Sequence, residues 1–202
     1  LSAVQAMSSG DVLLLEAQTG INGLSNLPVE VEAAAFDAIR YAVDAGIVVI
    51  EAGGNGSHDL DTYVDSANRQ RLNRSSSDFR DSGAIMVGAA SSTTPHSRLW
   101  FSNFGSRVDC FGWGENIATT GDGWQGTSTS AYTSSFGGTS GASPMIAAAA
   151  LYVLKNFDSE FASLRVKLAE NTKYFRQQME KLGFKLGGDG KHPITPVMLM
   201  EE

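Results

Sequence analysis

Cysteine, long apolar runs and excess positive charge are all missing or scarce in this 202-residue sequence. Cys110 is the single cysteine, so no disulfide can form within the chain. No apolar run is long enough to cross a bilayer, and the sequence does not open with the charged and apolar segments of a signal peptide. The net charge of −7 is the wrong sign for general attraction to anionic polymers or membrane surfaces. We therefore expect neither nucleic acid nor a membrane as a partner.

Lysine is absent from the first 154 residues, and the composition changes near residue 151. Residues 1–150 contain seven arginines, 15 acidic residues and 18 of the 22 glycines, which gives a net charge of −8. Residues 151–202 contain eight basic residues, six of them lysine, and seven acidic residues, so their net charge is +1. This contrast predicts two parts of different origin, residues 1–150 and residues 151–202.

The first part has the pattern of parallel α/β structure. Val12–Leu15 and Ile47–Ile50 are short, continuous apolar runs, typical of strands covered on both faces. Val29–Ala45, between them, has helical periodicity, and residues 18–28 are predicted to be a loop. A strand, a helix and a strand with short connections form a parallel βαβ unit. Gly83–Ala90 predicts a further buried strand.

Several charged residues of this part are assigned structural roles. Glu30 suits the first turn of the predicted helix, where a carboxylate complements the helix dipole. His58, Asp59 and Asp61 have the residue types of a metal site, but the polar segment 58–80 around them is more typical of an acidic surface loop. We expect no metal and no cofactor.

The motif with the strongest chemical implication lies at residues 137–144, Gly-Gly-Thr-Ser-Gly-Ala-Ser-Pro. Pro144 suits the first turn of a helix, where its missing N–H is not needed, and Met145–Leu154 is apolar enough to be a buried helix. Ser140 is therefore predicted at a helix N-terminus, where free N–H groups favour negative charge. Acyl transfer places a hydroxyl nucleophile in such a setting, although a turn that only caps a helix has similar composition.

The string Gly-Thr-Ser-Gly-Ala-Ser-Pro resembles the nucleophile motif of subtilisin-like serine peptidases, the subtilases. The resemblance implies that Ser140 is the nucleophile. It also implies that Asn55 donates a side-chain hydrogen bond to the oxyanion, whereas an asparagine between glycines would alone be read as a turn residue. Weaker similarities in the same order extend the resemblance over residues 1–150.

The carboxyl ends of parallel strands are where sites form in such sheets, and two polar segments fall there. Glycines in the second segment would let a substrate backbone approach closely. The residues that we assign to substrate binding are Glu16, Ala17, Gln18, Gly53 and Gly54. The first three stand where subtilases usually carry Ser-x-Gly, so the peptide preference of the family does not carry over.

The resemblance also implies an aspartate and a histidine that complete a catalytic triad and precede this region in the family. The histidines of this sequence are His58, His96 and His192, and none is followed by the Gly-Thr of the family motif. We therefore expect both triad partners to be missing and a separate upstream segment to be needed to supply them.

The second part predicts an amphipathic helix at Asp158–Leu182, capped by Asp158 or Ser159 and ended by Gly183. A short β-hairpin follows, with its turn at Gly187–Lys191 and a second strand at Ile194–Met200. The string KLAENTKYFRQQMEKLGFKL followed by HPITPVML resembles the small domain of glycine C-acetyltransferase, a pyridoxal-phosphate enzyme of the α-oxoamine synthase family. The Schiff-base lysine of that family would lie upstream, where this sequence has no lysine, so no cofactor function carries over.

These observations predict an α/β fold: a partial subtilase-like parallel sheet with helices on both faces, plus a C-terminal helix and a short β-hairpin. The implied function is that of a serine endopeptidase catalytic segment acting on peptides or proteins, inactive as an isolated chain. A fragment of a PLP-dependent acyltransferase and a non-enzymatic chimera remain the alternatives. The subtilase resemblance suggests an extracellular location, although no signal peptide is present.

Overall fold

The computed structural model describes residues 2–121, 130–188 and 195–198. The chain divides into two compact units, residues 1–152 and residues 153–202. Within the described residues, none of the helices combines the length and the apolar character that crossing a membrane requires.

A four-stranded parallel sheet forms the centre of the first unit. Its strands are β1 (Val12–Leu15), β4 (Val48–Ala52), β5 (Ile85–Ala90) and β6 (Cys110–Trp113), in the order β1-β4-β5-β6. Leu14 lies opposite Ile50, and Ile50 opposite Ile85, so apolar side chains form continuous rows across the sheet. The bounds of the predicted strand Val12–Leu15 are confirmed, but the expected cover on both faces is incomplete, because Leu14 is exposed and β1 stands at the end of the strand order. The other two predicted strands are confirmed with shifted ends.

Helices cover both faces of this sheet, which confirms the predicted fold class. On one face, Val4 of α1 (Ser2–Gln5) and Ile39 and Ala42 of α2 (Ala33–Asp44) share a buried cluster with Val49 of β4. On the other face, α3 (Thr139–Asn156) packs through Ala142 against Ile50. Alternate strand residues point to opposite faces, so a continuously apolar strand needs a cover on each side.

Two antiparallel hairpins accompany the sheet in the first unit. The prediction of a loop at residues 18–28 is wrong: this segment forms β2 (Gln18–Ile21) and β3 (Leu24–Pro28), which pair with each other. Asn22 and Gly23 join them, both with positive φ (54° and 79°). An Asn-Gly pair is the preferred sequence for such a two-residue turn, and it was the signal for this hairpin. The second hairpin pairs β7 (Ile117–Thr120) with β8 (Tyr132–Phe136).

The predicted helix Val29–Ala45 is divided near its start, and the role predicted for Glu30 is wrong. Val29–Val31 is a short 3-10 turn, Glu32 is extended, and α2 begins only at Ala33. Glu30 is buried and forms a two-pronged ion pair with the buried Arg107, with Nε–Oε1 and Nη2–Oε2 distances of 2.7 and 2.9 Å. The attraction of a buried guanidinium outweighs that of a solvent-exposed helix end.

Further polar groups complete this buried cluster. Ser82 donates its hydroxyl to Glu30, and Nη1 of Arg107 lies 2.8 Å from Oδ2 of Asp109. Although burial opposes the charge of Arg107, the carboxylate of Glu30 raises the pKa of this guanidinium above its ordinary value. The side chain of Glu51 also lies in the cluster, where its Oε1 accepts the backbone N–H of Glu30 at 3.0 Å.

Glu51 is the least satisfied member of the cluster. Its Oε2 is buried without a hydrogen-bond partner. Burial first, and the charge of Glu30 second, raise the pKa of Glu51 well above its ordinary value of 4.5. The folded chain therefore holds this proton more tightly than the unfolded chain does. The stabilisation from protonated Glu51 is complete below about pH 4.5 and is lost as the pH rises toward the folded-state pKa.

Glu51→Gln should therefore stabilise the first unit at high pH. The glutamine keeps the Oε1 acceptor but carries no charge, so we expect the free energy of unfolding to rise by about 1–3 kcal/mol at pH 8. At pH 4.5 the gain should largely vanish. Urea unfolding at both pH values measures it, with Asp37→Asn as the control, since Asp37 is exposed on α2. An equal gain at both pH values would contradict this assignment.

The second unit contains a helix and a small hairpin, as predicted. The helix, α4 (Ala162–Lys181), is shorter than the predicted Asp158–Leu182. The residue after its C-cap Leu182 is the predicted stop Gly183, whose φ is 89°. The predicted caps are wrong: the side chain of Asp158 pairs with Arg165, and the hydroxyl of Ser159 bonds back to the carbonyl of Asn156.

The hairpin consists of β9 (Lys185–Leu186) and β10 (Val197–Met198), which pair in antiparallel fashion. The predicted turn at Gly187–Lys191 lies outside the described residues from position 189 onward. Both ends of the predicted strand Ile194–Met200 also lie outside them.

Candidate active site

Ser140 lies in the first turn of α3, as the sequence predicted. The helix begins earlier than expected, at Thr139, so Pro144 is its sixth residue and not part of its first turn. A proline there cannot donate to the carbonyl four residues earlier, which is that of Ser140. The Ser140 side chain is half-buried, and its Oγ makes no hydrogen bond within the described part of the chain.

Asn55 follows β4 at the carboxyl end of the sheet, and Thr139 fixes the orientation of its side chain. Oδ1 of Asn55 accepts two hydrogen bonds from Thr139, one from the backbone N–H at 2.9 Å and one from the hydroxyl at 3.0 Å. The Thr139 hydroxyl in turn accepts the N–H of Gly54 at 3.1 Å, so it has both a donor and an acceptor partner. With Oδ1 occupied, Nδ2 of Asn55 is left to point away from Thr139 as a donor.

Gly138 brings Asn55 and Ser140 to the border of one small space. A Cβ atom on Gly138 would lie 3.3 Å from Nδ2 of Asn55 and 3.3 Å from Oγ of Ser140. Gly138 has a φ of 103°, in the region that favours glycine, and any larger residue would fill this space. A serine hydroxyl and an amide N–H donor therefore border the same opening, at the N-terminus of an 18-residue helix.

Of the residues that the sequence assigned to substrate binding, Glu16, Ala17 and Gln18 are exposed at the carboxyl end of β1. Partial burial raises the pKa of Glu16 above its ordinary value. Oε1 of Gln18 accepts the backbone N–H of Asn55 at 3.2 Å, which links this segment to the amide donor.

Gly53 and Gly54 are buried beside Asn55. A Cβ on Gly54 would lie 2.2 Å from the carbonyl oxygen of Asn26 and 2.6 Å from Nδ2 of Asn103. A Cβ on Gly53 would lie 3.1 Å from the carbonyl oxygen of Val87. The space beside these two glycines is therefore occupied by backbone and side-chain atoms of the same chain.

An open cleft of about 520 Å³ borders this centre, and sequence reasoning missed it. Its walls are formed by Asn55, Trp100, Phe101, Gly114, Glu115, Asn116, Ser135, Gly137 and Gly138. Gly114 and Glu115 directly follow β6, the fourth strand of the sheet. Sites form at the carboxyl ends of parallel strands, so the rule that we applied to β1 and β4 could also have identified Gly114 and Glu115 after β6.

Neither described histidine is hydrogen-bonded to Ser140. Nε2 of His58 lies 2.9 Å from the carbonyl oxygen of Ser25, and Nδ1 of His96 lies 3.0 Å from that of Ser91. His192 lies outside the described residues. The segment that includes His58 is also less superficial than predicted, because Leu60, Tyr63 and Leu72 are buried in a core cluster.

The carboxylates of Asp59 and Asp61 are bonded within the chain. Asp59 accepts the backbone N–H of Asp61, and the carboxylate of Asp61 accepts from Ser106. Across the described ranges, no group of three His, Cys, Asp or Glu side chains could hold a metal ion.

Comparisons with known proteins show the family to which this chain is related. The model of the subtilase family matches residues 3–181. The subtilisin-like proteinase Spm1 of Pyricularia oryzae is 38% identical over 128 residues, which is 62% of this chain and 20% of that protein. The extracellular serine proteinase of a Thermus species is 36% identical over 117 residues, which is 57% of this chain and 24% of that protein. This chain thus matches only about a fifth to a quarter of the length of these relatives.

Among solved structures, a cold-adapted subtilisin-like serine proteinase aligns with 76% of this chain and 45% of its own, at 24% identity and a TM-score of 0.45. The family match covers more of the chain than these pairwise alignments do, because it includes nearly all of the first unit and all of α4. Since it covers well over half of the residues, the chain belongs to the subtilase family.

Proposed function

We propose that this chain is the catalytic segment of a serine endopeptidase, with Ser140 as the nucleophile and Asn55 as an oxyanion donor. The observation that carries the proposal is the pair of polar atoms, Oγ of Ser140 and Nδ2 of Asn55, that border one space beside Gly138. Attack of Oγ on a peptide carbonyl converts the carbonyl oxygen to an oxyanion. Nδ2 of Asn55 and the backbone N–H of Ser140 would stabilise that charge.

Thr139 acts as a positioning residue in this proposal. Its two hydrogen bonds to Oδ1 hold the amide of Asn55 in one orientation, so the donor is in place before the negative charge develops. Preorganised donors lower the barrier because they need no reorientation during the reaction. The N-terminus of α3 contributes a favourable dipole at the same point.

A general base is the part of the machinery that the described residues do not provide. No described histidine is bonded to Ser140, and a serine hydroxyl is a weak nucleophile without a base. We infer that the isolated chain is inactive and that a segment carrying the family's aspartate and histidine completes the site. That segment is the proposed protein partner of this chain.

Labelling with a fluorophosphonate probe tests the inactivity, because such probes modify activated serines. We expect the isolated chain to incorporate no more probe than its Ser140→Ala variant over one hour at pH 8. Ser163→Ala, on exposed α4, is the matched control for loss of a serine. Stoichiometric labelling within minutes that depends on Ser140 would mean that a base is already present in this chain.

The substrate is proposed to be a peptide or protein whose backbone approaches the carboxyl ends of β1 and β4. Glu16, Ala17 and Gln18 are exposed at the first of these ends, while Gly53 and Gly54 lie under the second. The names of the relatives, one of them an extracellular serine proteinase, support an extracellular location for this chain.

Residues 151–202 are proposed to be an appended segment related to the small domain of glycine C-acetyltransferase. The division of the chain after residue 152 supports a structural boundary there, and the family match to residue 181 crosses it. We propose no cofactor for this segment. Pyridoxal phosphate added to the chain should therefore produce no new absorbance band.

A further inference from the structure

The cleft beside Asn55 and Gly138 contains none of the five residues that the sequence assigned to substrate binding. It opens at the proposed oxyanion donor, so whatever enters it lies next to the reacting carbonyl. Its walls combine an exposed aromatic ring, that of Trp100, with a carboxylate, that of Glu115. Among the described residues that line the cleft, Glu115 is the only charged one.

Glu115 is held in place by one carboxylate oxygen, while the other has no partner. Oε1 accepts the backbone N–H of Ser92 at 3.1 Å. The neighbouring Asn116 donates to the hydroxyl of Ser92 at 3.0 Å, so the same serine anchors both cleft residues. Oε2 makes no hydrogen bond within the described part of the chain and is the acceptor available to a ligand.

Trp100 presents a broad aromatic surface to the cleft. Its side chain is 78% exposed, unusual for the largest apolar residue, and it contacts Phe101 edge-on at 5.6 Å between ring centroids. Aromatic faces attract cations, guanidinium groups in particular. The nearby Arg98 does not fill this role, because its guanidinium lies 4.4 Å from the ring of Phe104 and donates to the carbonyl of Ser102.

We propose that this cleft binds the guanidinium of an arginine next to the scissile bond and that Glu115 determines this specificity. The charge would pair with Oε2 of Glu115 while the planar group stacks on Trp100. The net charge of −8 over residues 1–150 adds a long-range attraction for basic peptides. The peptide nature of the ligand rests on the proposed function, whereas the preference for a cation rests on the cleft itself.

A binding measurement on the full chain tests this without requiring catalysis. The probes are acetyl-Ala-Arg-Ala-amide and its citrulline analogue, which has nearly the same shape and no charge. We expect the arginine peptide to bind at least about tenfold more tightly at low salt, about 1.4 kcal/mol, with NMR shifts at the Trp100 indole N–H. Glu115→Gln, which keeps the bond to Ser92, should bring the two affinities within about twofold of each other.

Asp37→Asn is the matched control, because it removes one exposed carboxylate from α2 and should leave the preference intact. Equal binding of the two peptides to the unaltered chain, or no binding of either, would overturn the proposal. A preference that survives Glu115→Gln would also overturn it. If co-folding with a segment that carries the family's aspartate and histidine restored hydrolysis without a preference for arginine, only this inference would be refuted. If the chain preferred the arginine peptide but hydrolysis could not be restored, only the proposed function would be in doubt.

Discussion

Co-folding this chain with a segment that carries a subtilase aspartate and histidine should produce peptide hydrolysis that depends on Ser140. The expectation rests on the Ser140 hydroxyl and the Asn55 amide, which already border one space. In subtilisin, a member of the same family, loss of the serine lowers kcat by roughly 10⁶, and we expect Ser140→Ala to remove all measurable hydrolysis here. Hydrolysis of a chromogenic peptide, with each segment alone as the baseline, measures the effect.

Substitution of Asn55, the proposed oxyanion donor, gives a second and graded readout of the same assay. Loss of the corresponding amide of subtilisin costs roughly 10²–10³ in kcat, and we expect Asn55→Ala to do the same with little change in KM. Asn171→Ala, on the exposed side of α4, is the control for removal of an asparagine. If Ser140→Ala retained full activity, the hydrolysis would come from another protein. If Asn55→Ala matched the unaltered chain, the amide would have no catalytic role.

Arg107→Ala should cause the largest loss of stability of any single substitution that we propose. Arg107 is fully buried, and it is bonded to Glu30, Ser82, Ala84 and Asp109. Its removal would leave the buried carboxylate of Glu30 without its cation, which typically costs roughly 3–5 kcal/mol. Urea unfolding at pH 7 should show the transition moving to much lower urea concentration, or no folded first unit at all.

Two further variants distinguish this cause from a simple loss of packing. Arg40→Ala breaks an exposed pair with Asp44 and should cost no more than about 1 kcal/mol. Arg107→Met combined with Glu30→Gln removes both charges and should recover a large part of the loss, because burying neutral groups avoids the uncompensated charge. A double variant no more stable than Arg107→Ala would mean that packing and not charge explains the result.

Local sequence patterns were sufficient to predict much of the secondary structure of the first unit. The continuous apolar run Val12–Leu15 predicted a strand, and the motif around Ser140 placed the serine at a helix N-terminus. Both interpretations depend only on residues that are neighbours in the sequence. The hairpin at residues 18–28 was equally local, since Asn22-Gly23 is its turn, and it was missed because that turn was read as part of a loop.

The sequence by itself therefore determined the βαβ framework, its strands and the position of Ser140 at the start of a helix. Only the tertiary structure decided which distant groups meet. It bonded Asn55 to Thr139, 84 positions away, and it paired Glu30 with Arg107, 77 positions away. It also brought Trp100 and Glu115 to one cleft. Periodicity and turn chemistry act over a few residues, whereas a donor's partner or a buried charge's counterion is chosen by the packing of whole elements, which no local pattern encodes.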